Sequence, residues 1–148
     1  MNKTIRNAIA VLAIAGFGAL IYSSNNKQNM QAAAPAAGKP AQGRAIVEVT
    51  VPALKGKEVV GQLAYVAKCA SCHGDNAVGQ MGVAPPLVHK IYEPSHHGDM
   101  AFVMAVRNGV RAHHWKFGNM PPVEGITDAE VGTIVAYVRA LQRANGIN

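Results

Sequence analysis

The chain has 148 residues and a formal net charge of +6, a length that fits one ordinary domain with a tail and disfavours a multidomain enzyme. Residues 1–44 carry five Lys and Arg and no acid, whereas residues 45–148 carry nine Lys and Arg against eight Asp and Glu. The body is therefore nearly neutral, and without a basic patch of interleaved aromatic residues it is not expected to bind nucleic acid. Aromatic residues make up only 5% of the chain, so either the core is mainly aliphatic or a group absent from the sequence fills it.

Residues 1–24 have the plan of an export segment, because an uncharged apolar run over 8–22 follows Lys3 and Arg6. The small residues that a signal peptidase requires are missing just past the run, and the run itself is short for a membrane span. We favour an uncleaved anchor over residues 4–24, with a cleaved signal as the alternative. A buried core helix is disfavoured because no packing partner lies nearby. Both main interpretations export the body to the periplasmic side of the inner membrane, either anchored or soluble after cleavage.

Residues 25–44 contain no acid, no aromatic and no β-branched residue. Such a segment cannot bury enough apolar surface to order itself, which indicates a flexible Ala/Pro/Gln linker. A coil of this length spans about 25 Å. The sequence therefore predicts a folded domain over residues 45–148 that a flexible linker joins to the N-terminal segment.

Two elements are predicted at the start of the body. Residues 46–51 alternate valines with polar residues and predict a short extended segment, closed by Pro52. The next stretch, Lys57–Lys68, has helical periodicity. Its apolar residues Val59, Val60, Leu63 and Val66 form one face, and Gly61 and Tyr65 lie four residues apart on a neighbouring stripe.

Two further helices are predicted towards the C-terminus. Residues Asp99–Asn108 follow a helical pattern that Gly109 can close. Thr127 and Glu130 have the spacing of a capping box, and apolar residues then recur every three or four positions until Gly146. The segments 73–98 and 109–126 hold most of the Gly, Pro and His residues, and loops this long in a small domain usually surround something.

The residues Cys69, Cys72 and His73 form a C-x-x-C-H sequence, the attachment signature of c-type haem. Thiols three residues apart on one helical turn can bond to both vinyl groups of one porphyrin, and the next residue then presents its imidazole to the iron. Three rivals remain open. They are a thioredoxin-like redox pair, a structural disulfide, and a zinc site completed by His96-His97 or His113-His114.

The second iron ligand is expected to be Met120, which stands in a segment that Pro121 and Pro122 hold extended. Of the other methionines, two lie in the leader and linker, two fit a helix face, and Met81 follows His73 too closely to reach the opposite side of a porphyrin. His113 or His114 in place of Met120 is the alternative. Ligation by His and Met raises the reduction potential of haem iron.

The chain resembles a class I, mono-haem c-type cytochrome of bacterial type over residues 56–143. Gly61 and Tyr65 match the family's small and aromatic positions before the cysteines, and further matches lie in the C-terminal helix, the Pro-x-Leu sequence and the Met-Pro sequence. These are Ile134, Tyr137, Pro85-Pro86-Leu87 and Met120-Pro121. The resemblance implies an all-α fold, a small cytochrome c fold of three to four helices wrapped around one covalently attached haem c.

The resemblance also implies roles for individual residues. The carbonyl of Pro85 is expected to accept a hydrogen bond from His73 and so to orient the ligand imidazole. Trp115 and Arg111 are expected to bind the haem propionates.

The adjacent residues His96 and His97 are expected to point apart, which favours a surface pair over a metal site.

These features predict an exported electron carrier that works between membrane or periplasmic redox proteins by outer-sphere transfer, with the membrane reached through the N-terminal segment. No catalytic residue is expected. The alternatives are a haem subunit of a larger oxidoreductase, a peroxidase-like enzyme with a labile Met120, and a metal- or gas-binding module.

Overall fold

The computed structural model describes residues 43–148. Four α-helices and the long loops around them make up this part of the chain. The helices are α1 (Lys57–Lys68), α2 (Ala70–His73), α3 (Asp99–Asn108) and α4 (Asp128–Ala144). Two 3₁₀ turns, at Asp75–Ala77 and Lys90–Tyr92, lie between α2 and α3. This part of the chain has no β-strand, only isolated bridges, so the expected all-α fold is confirmed.

The predicted signal or anchor at residues 1–24 lies outside the described residues, as does the linker at 25–44 apart from its last two positions. Both stay predictions, together with the domain boundary at residue 45. Across residues 43–148, no helix has the length and apolar character needed to cross a membrane.

The core is built where α1 crosses α4, and Gly61 sets how closely the two helices approach. A Cβ atom placed on Gly61 would lie 1.9 Å from the carbonyl oxygen of Thr133, so only a glycine fits this crossing. One turn further along α1, the fully buried ring of Tyr65 packs against Tyr137, with ring centroids 5.5 Å apart. The crossing of α1 and α4 is therefore made by a glycine and an aromatic pair, at positions that match the family.

The apolar face of α1 is not the face that enters the core. Exposed fractions are 42% for Val59, 55% for Val60, 68% for Leu63 and 58% for Val66, whereas Gly61 and Tyr65 are the buried residues of this helix. Because close packing on α4 requires the glycine, the neighbouring stripe faces α4 and the four apolar side chains face away from it. The periodicity predicted the helix correctly but did not show which face is buried.

The C-terminal helix begins as its sequence predicts. The Thr127 side chain accepts a hydrogen bond from the backbone N–H of Glu130, and the Glu130 carboxylate accepts one from the backbone N–H of Thr127. This capping box satisfies two of the N–H groups that have no partner within the helix. The bounds predicted for α1 and α3 are also confirmed, since Gly109 caps α3 with a positive φ of 72°.

Residues 46–51 do not form a strand, because no neighbouring strand is present in the described residues to pair with them. Instead the backbone N–H groups of Ile46 and Val47 donate to the Val78 carbonyl, each at 3.2 Å. The N–H of Thr50 donates to the side-chain oxygen of Asn145 at 2.9 Å. The segment therefore packs against two parts of the fold, the loop that follows the cysteines and the C-terminal end of α4.

Candidate functional site

The cysteine turn, Cys69 to His73, follows α1 directly and forms a single helical turn. The N–H groups of Cys72 and His73 both donate to the Cys69 carbonyl, at 3.1 and 2.9 Å. The two thiols are not joined to each other; Cys72 is exposed and Cys69 is half-buried. Burial and the neighbouring Cys72 raise the pKa of Cys69 to about 11. This turn presents two thiols and an imidazole within five consecutive residues.

His73 is held by the residue that the resemblance indicated. Its Nδ1–H donates to the Pro85 carbonyl at 2.8 Å. Burial lowers the pKa of His73, and the hydrogen bond to Pro85 opposes that change only in part, so the ring is favoured in its neutral form. With Nδ1 protonated, Nε2 keeps its lone pair and is therefore the nitrogen that can bind a metal ion.

Side chains from other parts of the fold hold the cysteine turn in place. The hydroxyl of Tyr65 donates to the Gly74 carbonyl at 2.8 Å. The side-chain amide of Gln80 donates to the carbonyls of Ala70 and Ser71, at 3.2 and 2.9 Å. These side-chain donors add to the backbone hydrogen bonds that the carbonyls of Ala70 and Gly74 already accept, so the contacts stabilise the turn that carries the thiols.

Met120 lies in a loop that is fixed by its backbone. Met120 and Val110 exchange both N–H···O hydrogen bonds at 2.9 Å, as an isolated antiparallel bridge. The Asn119 side chain accepts a further bond from the backbone N–H of Ala112 at 2.9 Å. A Cβ atom on Gly109 would lie 2.4 Å from the Met120 carbonyl oxygen. Gly109 is therefore required both for its backbone conformation and for the close approach of the methionine loop.

Trp115 carries a buried polar atom with no partner among the residues that the structure describes. Its indole N–H is fully shielded from solvent and makes no hydrogen bond there. A side-chain contact with Trp115 offsets part of the rise that burial gives to the pKa of Tyr92, but no hydrogen bond joins the Tyr92 hydroxyl to the indole N–H. The ring itself is fixed between His89, at 5.1 Å edge-on, and Phe117, stacked at 5.7 Å. A rigid, unpaired N–H donor fits an anionic acceptor such as a haem propionate.

Arg111, the other residue expected at the propionates, lies in the exposed part of the same loop. The structure records no hydrogen bond or ion pair of its side chain within residues 43–148. Its role stays a prediction.

The donor set as a whole fits haem c. Two thiols lie on one turn, an imidazole has a free Nε2, a thioether stands in a rigid loop, and an indole N–H lacks an acceptor. A thioredoxin-like pair is disfavoured because the described residues contain no strand for a βαβ unit. When bound, haem c supplies an iron that exchanges one electron.

Arg139 and Gln142 of α4 are central to the loop structure, and the sequence analysis missed both. The buried Arg139 guanidinium donates to the carbonyls of Tyr92 and His97, at 2.6 and 2.5 Å, and to the Asp99 carboxylate at 2.8 Å. The Gln142 amide donates to the carbonyls of Leu87 and Tyr92, at 2.8 and 3.0 Å. The only available signal was that two polar residues stand within the apolar pattern of α4.

The orientation of His96 and His97 also differs from the expectation that their rings point apart. The rings of His96 and His97 do not point apart, because their centroids lie 4.7 Å from each other. His114 joins them from a loop 18 residues further along the chain, at 5.3 Å from each ring. The 3₁₀ turn and the bends that precede His96 bring adjacent side chains to one side of the loop.

Comparison with known protein families identifies a family for most of this domain. A model of the family Cytochrome c matches residues 53–142, which is more than half of the chain. The matched range contains all of α1, α2 and α3, most of α4, and every residue of the donor set. No curated protein matches the chain.

Proposed function

Since this chain belongs to the cytochrome c family, whose members carry covalently attached haem c and transfer electrons, we propose that it is an exported mono-haem electron carrier rather than an enzyme. The thiols of Cys69 and Cys72 would hold the haem covalently, and His73 and Met120 would ligate its iron. Trp115, with Arg111, binds the propionates. The carrier accepts and passes on single electrons by outer-sphere transfer.

The observation that carries this proposal is the rigidity of both ligand positions. His73 is oriented by the Pro85 carbonyl, and Met120 is fixed by its paired hydrogen bonds with Val110. Two protein ligands held in place close the iron to substrates and keep its surroundings unchanged when it gains or loses an electron. A closed site suits electron transfer, whereas a peroxidase needs an open iron position.

The exposed apolar face of α1 supports a protein partner for the electron. This face, formed by Val59, Val60, Leu63 and Val66, lies on the helix that leads directly into the cysteine turn. Val66 precedes Cys69 by three residues, about one helical turn. An apolar surface beside the cofactor attachment point favours docking of another protein. We therefore expect the partners to be membrane or periplasmic redox proteins that bind at this face.

The same face makes a haem subunit of a larger oxidoreductase the second candidate. Co-purification of the native protein from its own membranes separates the two. A free carrier is recovered alone after a salt wash, and a subunit is recovered in a stable stoichiometric complex.

The location is proposed from the N-terminal sequence. Lys3 and Arg6 before an apolar run support a location on the periplasmic side of the inner membrane, with residues 4–24 as the anchor. Membrane fractionation tests this point, because detergent but not salt should release the anchored protein. A mature N-terminus beyond Ser24 would instead show a cleaved signal and a soluble periplasmic protein.

Carbon monoxide binding tests the carrier function. The ferrous holoprotein is expected to show a low-spin spectrum that carbon monoxide leaves unchanged, because both axial positions are occupied. It is also expected to be reduced and reoxidised rapidly by small one-electron reagents. A high-spin iron that binds carbon monoxide at once would overturn the proposal in favour of a peroxidase-like or gas-binding function.

A further inference from the structure

Three histidines from two separate loops come together at the surface, and none of them is among the haem ligands assigned above. The histidine cluster consists of His96, His97 and His114, and one ligand nitrogen from each lies within 4.8 Å of the others. The Nε2 atoms of His96 and His114 are 3.3 Å apart. In a tetrahedral site with metal–nitrogen bonds of 2.0–2.1 Å, two ligand nitrogens are separated by about 3.3 Å. The closest pair therefore already has the spacing of two ligands on one ion.

The hydrogen bonding of His97 is also that of a metal ligand. Its Nδ1–H donates to the Ile91 carbonyl at 2.6 Å, which leaves the lone pair on Nε2. Metal-binding histidines almost always donate their other ring N–H to a carbonyl or carboxylate, since this contact fixes the tautomer and the ring orientation. A hydrogen bond between His96 and His114 would explain two of the rings, but not the third ring placed beside them.

The backbone that carries the cluster is held firmly. The N–H groups of His96 and His97 both donate to the Glu93 carbonyl, at 3.0 and 2.8 Å. The His97 carbonyl accepts a hydrogen bond from the buried guanidinium of Arg139. Two of the three imidazoles therefore stand on a loop fixed to α4, and one ligand nitrogen of His114 already lies within 4.8 Å of theirs.

We propose that His96, His97 and His114 form a binding site for a divalent transition-metal ion of the zinc and copper class, separate from the haem iron. Neutral imidazoles suit these ions, and copper(II) is expected to bind more tightly than zinc. Three protein ligands leave the fourth position to water. Neither the family match nor the proposed electron-carrier function assigns such a site.

Metal binding has a structural consequence, because the ligands come from both long loops. His96 and His97 belong to the loop before α3, and His114 directly precedes Trp115 in the loop that also carries Met120. An ion at the cluster ties these loops together across 18 residues of chain. The folded state then binds the ion and the unfolded state loses the arrangement, so zinc is expected to raise the unfolding temperature of the holoprotein.

Calorimetric titration of the tag-free ferric holoprotein with zinc chloride tests the proposal. We expect one zinc ion per chain with micromolar affinity, and a loss of about tenfold or more in His96→Ala and His114→Ala. Both residues are exposed, and His114→Gln keeps most of the side-chain volume if the alanine variant is unstable. Circular dichroism and the visible spectrum of each variant show that fold and haem site are retained.

His113→Ala is the matched control. Its ring stacks on His97 at 6.0 Å, and its Nδ1–H donates to the Arg111 carbonyl, but it is not one of the three proposed ligands. Zinc affinity should stay within about threefold in this variant. No saturable zinc binding, full binding in His114→Ala, or an equal loss in His113→Ala would each overturn the site as assigned.

Discussion

Replacing Gly61 by alanine tests the helix crossing on which the fold depends. A Cβ atom there would lie 1.9 Å from the Thr133 carbonyl oxygen, 2.5 Å from its carbonyl carbon and 3.0 Å from Cβ of Tyr137. Ordinary contact between such atoms is about 3.5 Å. Since the obstacle is the backbone of α4 and not a flexible side chain, α1 must move away by about 1.5 Å. That movement loosens the contact between Tyr65 and Tyr137.

The size of the effect follows from two opposing contributions. Forcing an extra carbon into a packed interface lowers the free energy of unfolding by up to about 3 kcal/mol. Alanine in place of glycine inside a helix raises it by about 1 kcal/mol. The net loss of about 2 kcal/mol should lower the unfolding temperature of a domain this size by roughly 8–16 °C. Gly132→Ala is the matched control, because Gly132 lies in α4 with nothing within 4 Å of its Cβ position.

Thermal unfolding of the two holoproteins, followed by circular dichroism, measures this difference. Gly132→Ala should be as stable as the parent protein or slightly more stable, since it gains helix propensity without a clash. If Gly61→Ala unfolds within about 2 °C of the parent protein, which is well below the expected shift, the close crossing of α1 and α4 is wrong.

Three further substitutions probe the haem site. Gly109→Ala should weaken the ferric charge-transfer band of the methionine–iron bond, because its Cβ would lie 2.4 Å from the Met120 carbonyl oxygen and its φ is positive; an unchanged visible spectrum would contradict this. Tyr65→Phe should lower stability by about 1 kcal/mol, because the buried hydrogen bond from the hydroxyl to the Gly74 carbonyl is lost, although that carbonyl keeps the Ala77 N–H at 3.2 Å; guanidinium unfolding measures the change, and an unaltered midpoint would refute it. Trp115→Phe keeps the aromatic ring but removes the unpaired N–H, so a redox titration should give a lower midpoint potential, as a less neutralised propionate favours ferric iron. An unshifted potential would remove Trp115 from the propionate site.

The parts of the fold that were predictable depend on local signals. The limits of α1 and α3 follow from periodicity and from Gly109, and the start of α4 follows from the capping box at Thr127 and Glu130. The haem attachment site was recognisable because Cys69, Cys72 and His73 are adjacent in the sequence. Each of these signals lies within a few residues of the structure that it determines.

The parts that were not predictable depend on contacts between distant segments. The apolar stripe of α1 suggested a buried face, but the shape of α4 at Thr133 selects the face that carries Gly61. The position of His114 beside His97 depends on two long loops, one of which is held by Arg139. No periodic pattern encodes such loop positions, because the contacts that fix them cross the whole domain.

The central claim is that His73 and Met120 together close the iron site, and Met120→Ala tests it most directly. The purified ferric protein should show the methionine–iron charge-transfer band, and Met120→Ala should lose the band and become able to bind carbon monoxide when reduced. Met81→Ala is the control, and it should keep the band and remain closed. A band that persists in Met120→Ala, or that disappears in Met81→Ala, would contradict the assignment of the second ligand.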